Sequence, residues 1–214
     1  MNPIAKRVVT ALSVAALVVC GIVFAPVWVI AAVVSVLGFL AVLEYGLLLA
    51  RRISPVTFPF VLFFALGSLV LVAAFAVLPT VAARSGNLML LYLLSTVKIS
   101  DMGGFAFGVA FGRHKLCPSI SPNKSWEGLA GSVFASCLIS CAFAGTTGFA
   151  LPKSLAFGVA AALVGTFGDL VESKFKRWVG VKDSSAMRFT NGMGGMLDMF
   201  DSLVFAPGLL YCFV

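Results

Sequence analysis

Residues 169–201 read DLVESKFKRWVGVKDSSAMRFTNGMGGMLDMFD, and this stretch carries five of the eight acidic residues of the chain. Apolar segments flank it on both sides, so its charges lie within membrane-spanning segments or where such segments meet water. A carboxylate at the centre of a membrane helix costs roughly 2.5–3.5 kcal/mol on insertion scales, whereas a Leu or Val returns only about 0.3–0.6 kcal/mol. A charged cluster in this setting therefore indicates a functional site.

The composition of the whole chain excludes a soluble protein. Of its 214 residues, 61% are hydrophobic and 11% are charged, whereas soluble domains carry roughly 25% charged residues. Apolar runs of about 18 residues or more recur along the chain, and each is long enough for a transmembrane helix. We predict an all-α, polytopic integral membrane protein in which residues 1–214 form a single membrane domain.

The apolar runs predict about seven transmembrane helices. The first run follows Lys6 and Arg7 as in a signal peptide, but it lacks a small-residue cleavage site, so we expect an uncleaved span. Residues 1–87 then hold the N-terminal spans, and residues 88–214 form the catalytic part with polar loops at 113–126 and 171–195. The expected spans are residues 8–24, 27–50, 56–79, 88–112, 128–150, 154–170 and 196–214.

The basic residues predict the orientation of these spans. If the N-terminus is cytoplasmic, twelve of the fifteen Lys and Arg residues fall in cytoplasmic loops, and only Arg84 and Lys153 fall in loops on the other side. This bias follows the positive-inside rule and places both polar loops in the cytoplasm, where nucleotides are found. The net charge of +7 is therefore a topology signal, and we expect no nucleic-acid partner. The five cysteines form no CxxC pair and are expected to be free thiols.

Two pairs of carboxylates suggest a metal site. Asp169 with Glu172, and Asp198 with Asp201, are three residues apart and lie about 60° apart around a helix axis. Carboxylate oxygens are the ligands that Mg²⁺ prefers, and Mg²⁺ keeps open positions for substrate phosphates. The surrounding cations either bind a polyanionic substrate or serve as topology signals, and the nearby glycines either approach phosphate or form plain turns. These residues are Lys174, Lys176, Arg177, Lys182, Arg188, Gly192, Gly194 and Gly195.

The predicted fourth span contains a polar pair. Lys98 and Asp101 are three residues apart and can meet on one helix face. The two charges either neutralise each other during insertion or belong to a site within a cavity. Gly104, Gly108 and Gly112 recur every four residues, and this small-residue stripe predicts close packing against another helix.

Two regions of the sequence together resemble a known family. The first region includes residues 100–101 (SD), 107–108 (FG), 111–116 (FGRHKL) and 120–128 (ISPNKSWEG). The second region includes residues 168–177 (GDLVESKFKR), 182–184 (KDS), 194–198 (GGMLD) and 201–202 (DS). Together they cover roughly residues 95–205, about half of the chain, and they resemble the phosphatidate cytidylyltransferases, also called CDP-diacylglycerol synthases.

The resemblance implies an enzyme that transfers the cytidylyl group of CTP to phosphatidate with Mg²⁺, and with K⁺ as a further cation, and that releases pyrophosphate. It would be a homodimer in the lipid bilayer of the inner membrane, with its active site facing the cytoplasm. Asp169, Asp198 and Asp201 would be catalytic metal ligands, and Lys174 a catalytic cation. The loop around residues 121–126 would help to close over the nucleotide. The substrate-binding residues implied are Asp101, Ser121, Lys124, Trp126, Glu127, Ser173, Lys176, Arg177, Lys182 and Asp183.

The chain departs from the pattern of this family at two positions. Met193 stands where the family usually has a histidine, and Met199 stands where it usually has an arginine. We expect Arg188 to supply the missing cation. Glu44, in the second span, lies outside both regions and is expected to play no part in the site.

Two alternative functions fit parts of the pattern. Another CTP-dependent lipid enzyme, such as a polyprenol kinase or an archaeal-lipid cytidylyltransferase, would share the metal site and differ in its lipid. An ion-coupled secondary transporter would use Lys98, Asp101 and Asp169 as coupling groups. A transporter of this kind predicts charges near the bilayer midplane and internal symmetry, whereas most charges of this sequence lie at cytoplasmic span ends and no internal symmetry is visible.

Overall fold

A computed structural model describes residues 15–181 and 195–213 of the chain. Within these ranges the protein is mostly helical, and a short antiparallel hairpin connects its fourth and fifth helices. The helices are α1 (Ala15–Phe24), α2 (Val27–Ala50), α3 (Phe58–Ser85), α4 (Asn87–Phe111), α5 (Trp126–Ala142), α6 (Ala144–Thr147), α7 (Leu151–Val179), α8 (Met196–Phe200) and α9 (Ala206–Phe213). The hairpin strands are β1 (Lys115–Cys117) and β2 (Ser121–Ser125), and a 3₁₀ turn (Asp201–Leu203) follows α8.

Five helical segments of the described chain are long and apolar enough to cross a membrane. They are α2, α3, α4, α7 and the interrupted segment Met196–Phe213. Two further apolar helices, α1 and α5, are shorter. Each predicted span overlaps one of these seven segments. The prediction of an all-α protein with several membrane spans is thereby confirmed in its coarse form, with the hairpin as a small β addition.

Two hydrogen bonds and one contact between a guanidinium and an aromatic ring show which helix ends lie side by side. The Asn87 side chain donates to the Ala25 carbonyl over 2.9 Å, so the turn between α3 and α4 lies against the turn between α1 and α2. The Tyr211 hydroxyl donates to Thr80 over 3.0 Å, and the Arg84 guanidinium lies 5.8 Å from the Tyr211 ring. These ends therefore share one side of the bundle. The chain direction places the hairpin and the C-terminal end of α7 on the opposite side.

Glycines allow α4 and α5 to pack at close range, as the small-residue stripe predicts. A Cβ atom added at Gly128 would lie 3.0 Å from the Gly104 carbonyl, and one added at Gly131 would lie 2.7 Å from the Gly103 carbonyl. Real Cβ atoms do not approach backbone oxygens so closely without a shift of the helices. The pairing of α4 with α5 forms one wall of the site described below.

The structure corrects several predicted element boundaries. The loop predicted at 171–195 begins later, because residues 171–179 are the last turns of α7. The helix ends at Gly180, whose φ of 85° is the left-handed conformation typical of a helix C-terminus. Pro79 lies inside α3 rather than at its end, and Pro152 lies in the first turn of α7 rather than in a loop. The last predicted span, residues 196–214, is interrupted by the 3₁₀ turn between α8 and α9.

Candidate active site

The two sequence regions that carry the polar motifs meet around one cavity. Its volume is about 620 Å³, and its walls come from α4, the hairpin, α5, α7 and the segment that starts with α8. Asp101 and Asp169 each lie ten residues before the end of their helix, which is about 15 Å along the axis. Asp169 therefore lies deeper in its helix than the predicted span end at residue 170 suggests, whereas the depth of Asp101 agrees with the predicted fourth span. The charged side chains of the wall are Lys98, Asp101, Lys115, Lys124, Asp169, Asp198 and Asp201.

Three carboxylates form a cluster at this cavity. Asp169, Glu172 and Asp201 each offer an oxygen atom within 4.8 Å of the others. The first two lie on one face of α7, and the third is the first residue of the 3₁₀ turn. Gly168 lets the turn approach α7, because a Cβ atom at Gly168 would lie 2.5 Å from the Asp201 carbonyl oxygen. The close approach of two elements, and not helix spacing alone, thus assembles the cluster.

The donor set of this cluster fits a hard divalent cation. The carboxyl group of Glu172 is buried, and neither of its oxygens accepts a hydrogen bond from any residue in the described ranges. The Lys176 ammonium lies 2.8 Å from one of these oxygens, close enough for an ion pair but without hydrogen-bond geometry. Three clustered carboxylates, one of them buried without a hydrogen-bond donor, offer the oxygen ligands that Mg²⁺ prefers. Glu172, which the carboxylate spacing placed beside Asp169 but which the family resemblance did not include among the metal ligands, is therefore a candidate ligand.

Lys124 of the hairpin reaches across to this cluster. Its ammonium lies 2.5 Å from Oδ2 of Asp169 and donates to the Thr166 carbonyl over 3.2 Å. The Ser173 hydroxyl donates to Oδ1 of the same carboxylate over 3.4 Å. Two predicted substrate-binding residues thus contact a predicted metal ligand. Ser121 lies at the cavity wall on the same hairpin strand as Lys124.

Asp198 lines the cavity but has a different environment from the cluster. Its Oδ1 atom pairs with the ammonium of Lys176, and its Oδ2 atom accepts the backbone N–H of Gly195 over 3.1 Å. Lys176 thereby bridges Asp198 and Glu172 from within the protein. The structure places Glu172, and not the predicted ligand Asp198, with Asp169 and Asp201. Lys176, predicted to bind substrate, lies between two carboxylates.

A second polar group connects α4 to the last motif. The Lys98 ammonium donates to the Met199 carbonyl over 3.0 Å and to the Ser202 hydroxyl over 3.3 Å. The Ser202 hydroxyl donates to Oδ2 of Asp101 over 2.7 Å, and the same oxygen lies 3.6 Å from Lys98. Lys98 and Asp101 therefore belong to the cavity wall and also form an ion pair, so the structure is compatible with both interpretations of this pair. Lys98 also brings a cation to the backbone of Met199, where the family usually has an arginine.

Glu127 closes the base of the hairpin and does not line the cavity. One of its oxygens lies 2.6 Å from Nδ1 of His114, and the backbone N–H groups of Arg113 and His114 also donate to the carboxylate. The hydrogen bond with His114, followed by the backbone hydrogen bonds, lowers the pKa of Glu127 to about 2. Trp126, beside it, is exposed and lies outside the cavity wall. Both residues were predicted to bind substrate, and the structure gives Glu127 a structural role in the loop.

Other predicted residues lie away from the cavity or outside the described ranges. Lys174 and Arg177 are exposed on α7 and do not belong to the described wall of the cavity. Lys182, Asp183 and Arg188 lie outside the described residues. The predicted roles of these five residues stay predictions.

Glu44 makes a contact with the last motif that the sequence analysis did not predict. It is 1% exposed, and Oε2 of its carboxylate accepts the backbone N–H of Leu197 over 2.9 Å. The two residues are 153 positions apart. The signal in the sequence is a single acidic residue within an otherwise apolar span, which is costly enough to indicate a buried partner.

Comparisons with known proteins agree with this geometry. The sequence model described as the Cytidylyltransferase family matches residues 54–214. Phosphatidate cytidylyltransferase from Staphylococcus aureus (strain COL) is 44% identical over 123 residues, which are 56% of this chain and 46% of that protein. The protein of the same name from Chlamydia muridarum is 38% identical over 132 residues, 56% of this chain and 41% of that protein. The one from Mycobacterium leprae is 42% identical over 138 residues, 63% of this chain and 42% of that protein.

The extent of these matches differs between the family and its individual members. The matched regions span less than half the length of each of the three relatives, 41–46%. The family match covers about three quarters of the chain. It includes every residue of the described cavity wall, from Lys98 to Asp201. The chain therefore belongs to the cytidylyltransferase family.

Proposed function

We propose that this protein transfers the cytidylyl group of CTP to phosphatidate, forming CDP-diacylglycerol and pyrophosphate. The observation that carries the proposal is the cluster of Asp169, Glu172 and Asp201 at a cavity that both motif regions line. The relatives named phosphatidate cytidylyltransferase support this choice of substrates. The alternative of a polyprenol kinase or an archaeal-lipid enzyme has no observation in its favour.

In the proposed reaction, a phosphate oxygen of phosphatidate attacks the α-phosphorus of CTP. The new P–O bond forms as the bond between the α-phosphorus and the bridging oxygen breaks, and pyrophosphate leaves with that oxygen. No covalent enzyme intermediate is required. Reactions of this type depend on positioning and on the neutralisation of phosphate charge. The residues of the cavity are therefore assigned to these two tasks.

The carboxylate cluster would hold Mg²⁺ through Asp169, Glu172 and Asp201. The bound ion would neutralise the charge that the phosphates carry in the transition state. Asp198 would orient Lys176 beside this cluster, since the two side chains pair directly. From the family resemblance, we also propose that K⁺ acts as a further cation.

The cations of the cavity wall would bind the phosphates. Lys124 lies on a hairpin between α4 and α5, and its ammonium can exchange the Asp169 carboxylate for a phosphate oxygen when substrate enters. Lys98 is part-exposed at the same wall, where it would add positive charge next to Asp101. Apolar side chains of α4 and α5, such as Phe105 and Leu129, also line the cavity and would receive the lipid portion of phosphatidate.

We further propose seven membrane crossings, a cytoplasmic N-terminus and an active site that faces the cytoplasm, in the inner membrane. The distribution of charge supports this arrangement. Arg84 and Lys153 lie at the ends of α3 and α7 on one side, whereas the hairpin and the C-terminal end of α7, which carry most of the described cations, lie on the other. A homodimer is proposed from the family resemblance.

The test is a lipid-labelling assay with the purified full chain. Phosphatidate in detergent micelles, CTP labelled in its α-phosphate and Mg²⁺ should give a labelled lipid that co-migrates with CDP-diacylglycerol. In parallel reactions, phosphatidate is replaced with an archaeal-type lipid phosphate, or with a polyprenol together with CTP labelled in its γ-phosphate, because a polyprenol kinase transfers the γ-phosphate and leaves the α-phosphate on the nucleotide. A labelled product only in one of those reactions would refute the proposed substrate, and no labelled lipid in any of them would refute the proposed function.

A further inference from the structure

Glu44 lies outside the part of the chain that matches the family, yet it contacts the last motif of the site. The family match begins at residue 54, whereas Glu44 belongs to α2. Its carboxylate is almost fully buried in an apolar helix, which is a costly position for an acidic group. A buried carboxylate in such a helix requires a specific interaction that compensates for the loss of water.

One such interaction is with the first turn of α8. Leu197 is the second residue of this helix, and its N–H has no intrahelical acceptor because the first four N–H groups of any helix lack one. Oε2 of Glu44 accepts this N–H over 2.9 Å. Asp198, the next residue, accepts the N–H of Gly195 over 3.1 Å. Two acidic side chains thus fix the start of α8, one from within the motif and one from α2.

The segment of α2 around Glu44 is itself held firmly. The ring of Tyr45 lies 5.1 Å from the ring of Phe175 on α7, and its hydroxyl donates to the Phe63 carbonyl over 2.8 Å. α2 is therefore anchored to α7 within one residue of the lysine that pairs with Asp198. On the other side of α8, the ring of Phe200 packs edge-on against Phe75 at 5.2 Å.

We propose that Glu44 is a positioning residue of the active site. Its carboxylate fixes the N-terminal turn of α8, so that Asp198 reaches Lys176 and Asp201 joins the carboxylate cluster. The proposal rests on the function proposed above, which gives these aspartates their task. The proposal gives α2 a part in supporting the site, although the family match does not include this helix.

Two small substitutions separate the position of the acceptor from its charge. Glu44→Gln keeps an oxygen acceptor at the same reach and removes the charge. Glu44→Asp keeps the charge and withdraws the carboxylate by one methylene, about 1.5 Å. Glu44→Leu removes both and is more easily inserted into a membrane. Leu48→Ala is the matched control, because it disturbs a fully buried residue one turn further along α2.

The first measurement is hydrogen–deuterium exchange of the purified full chain, which does not depend on activity. We expect faster exchange in peptides that cover residues 196–203 for Glu44→Leu and Glu44→Asp, and exchange like that of the unmutated protein for Glu44→Gln and Leu48→Ala. The second measurement is steady-state kinetics. Supporting residues behind metal ligands typically change activity by about 10–100-fold, so we expect a decrease of this size in kcat for the Leu and Asp variants, with a smaller change in the KM for CTP.

The outcomes are distinct. Unchanged exchange at residues 196–203 in Glu44→Leu would overturn the proposal, as would equal loss of kcat in the Gln and Asp variants. Loss of kcat in Leu48→Ala equal to that in Glu44→Leu would also overturn it, because any disturbance of α2 would then suffice. If the unmutated chain shows no cytidylyl transfer, the proposed function fails, and the exchange data alone confirm or overturn the contact.

Discussion

The substitution Gly168→Ala tests whether the close approach of the 3₁₀ turn to α7 assembles the carboxylate cluster. An added Cβ atom would lie 2.5 Å from the Asp201 carbonyl oxygen, whereas ordinary van der Waals contacts begin at 3.4 Å. The turn must therefore move away from α7 by about 0.9 Å. This shift moves Asp201 away from Asp169. The geometry of the carboxylate cluster is sensitive to the distance between these two residues.

The magnitude of the effect follows from this displacement. A misplacement of about 1 Å at a reacting centre costs on the order of 10²-fold in rate, and overpacking of this kind costs about 1–3 kcal/mol in stability. Gly165→Ala is the matched control one turn earlier on α7, since its Cβ atom would meet the nearest atom, Cβ of Ser202, at an ordinary 3.6 Å. Both variants gain the same helix propensity, about 0.8–1 kcal/mol, so this gain cancels in the comparison.

The assay is lipid labelling under saturating CTP together with thermal unfolding in detergent. We expect Gly165→Ala to keep kcat within about 3-fold and to be at least as stable as the unmutated protein, because a methyl group fits there. We expect Gly168→Ala to lose about 10–100-fold in kcat and to be the less stable of the two. Equal activity and stability of the two variants would refute the claim that this contact assembles the cluster.

Three further predictions address the hairpin, its base and the topology. Lys124→Met should raise the KM for CTP by about 10-fold or more, because a charge-assisted hydrogen bond is worth roughly 1.5–3 kcal/mol; an unchanged KM with lower stability would instead assign Lys124 to the support of Asp169. Glu127→Gln should speed hydrogen exchange in residues 113–125 without changing exchange in α7. Because the folded-state pKa of Glu127 is lowered to about 2, its stabilisation of the hairpin is present above its ordinary pKa of 4.5 and is lost as the pH falls towards 2. Reporter fusions after Arg52 and Trp178 should give a cytoplasmic signal and those after Arg84 and Gly148 the opposite signal; a cytoplasmic signal after Gly148 would contradict the seven-span arrangement.

Sequence reasoning predicted the parts of the fold that depend on local composition. Hydrophobic length alone locates helices such as α2 and α3, and glycine spacing alone predicts that α4 packs closely against another helix, which the structure identifies as α5. The end of α7 was predicted too early, because charged residues after Asp169 resemble a loop in composition. The helix continues through them, since Glu172 and Lys176 pair four residues apart and Gly180 supplies the stop.

The sequence predicted which residues belong to the site better than it predicted which of their side chains contact one another. Asp169, Asp201 and Lys124 were identified from the motifs, and the structure brings them to one cavity. The pairing depends on contacts between separate elements, because Lys176 of α7 pairs both with Glu172 on its own helix and with Asp198 of α8. No local pattern encodes such a contact, and the same holds for Glu44.

The most direct test of the account compares the Mg²⁺ dependence of CDP-diacylglycerol formation in Glu172→Gln and Asp198→Asn. Activity of the unmutated chain should require Mg²⁺ and disappear with chelator. If Glu172 belongs to the metal site, Glu172→Gln should lower turnover by on the order of 10² or more and raise the Mg²⁺ concentration for half-maximal activity. Asp198→Asn should lower turnover with a smaller change in that concentration. Full activity of Glu172→Gln at an unchanged Mg²⁺ concentration would contradict the central claim that Asp169, Glu172 and Asp201 form the metal site.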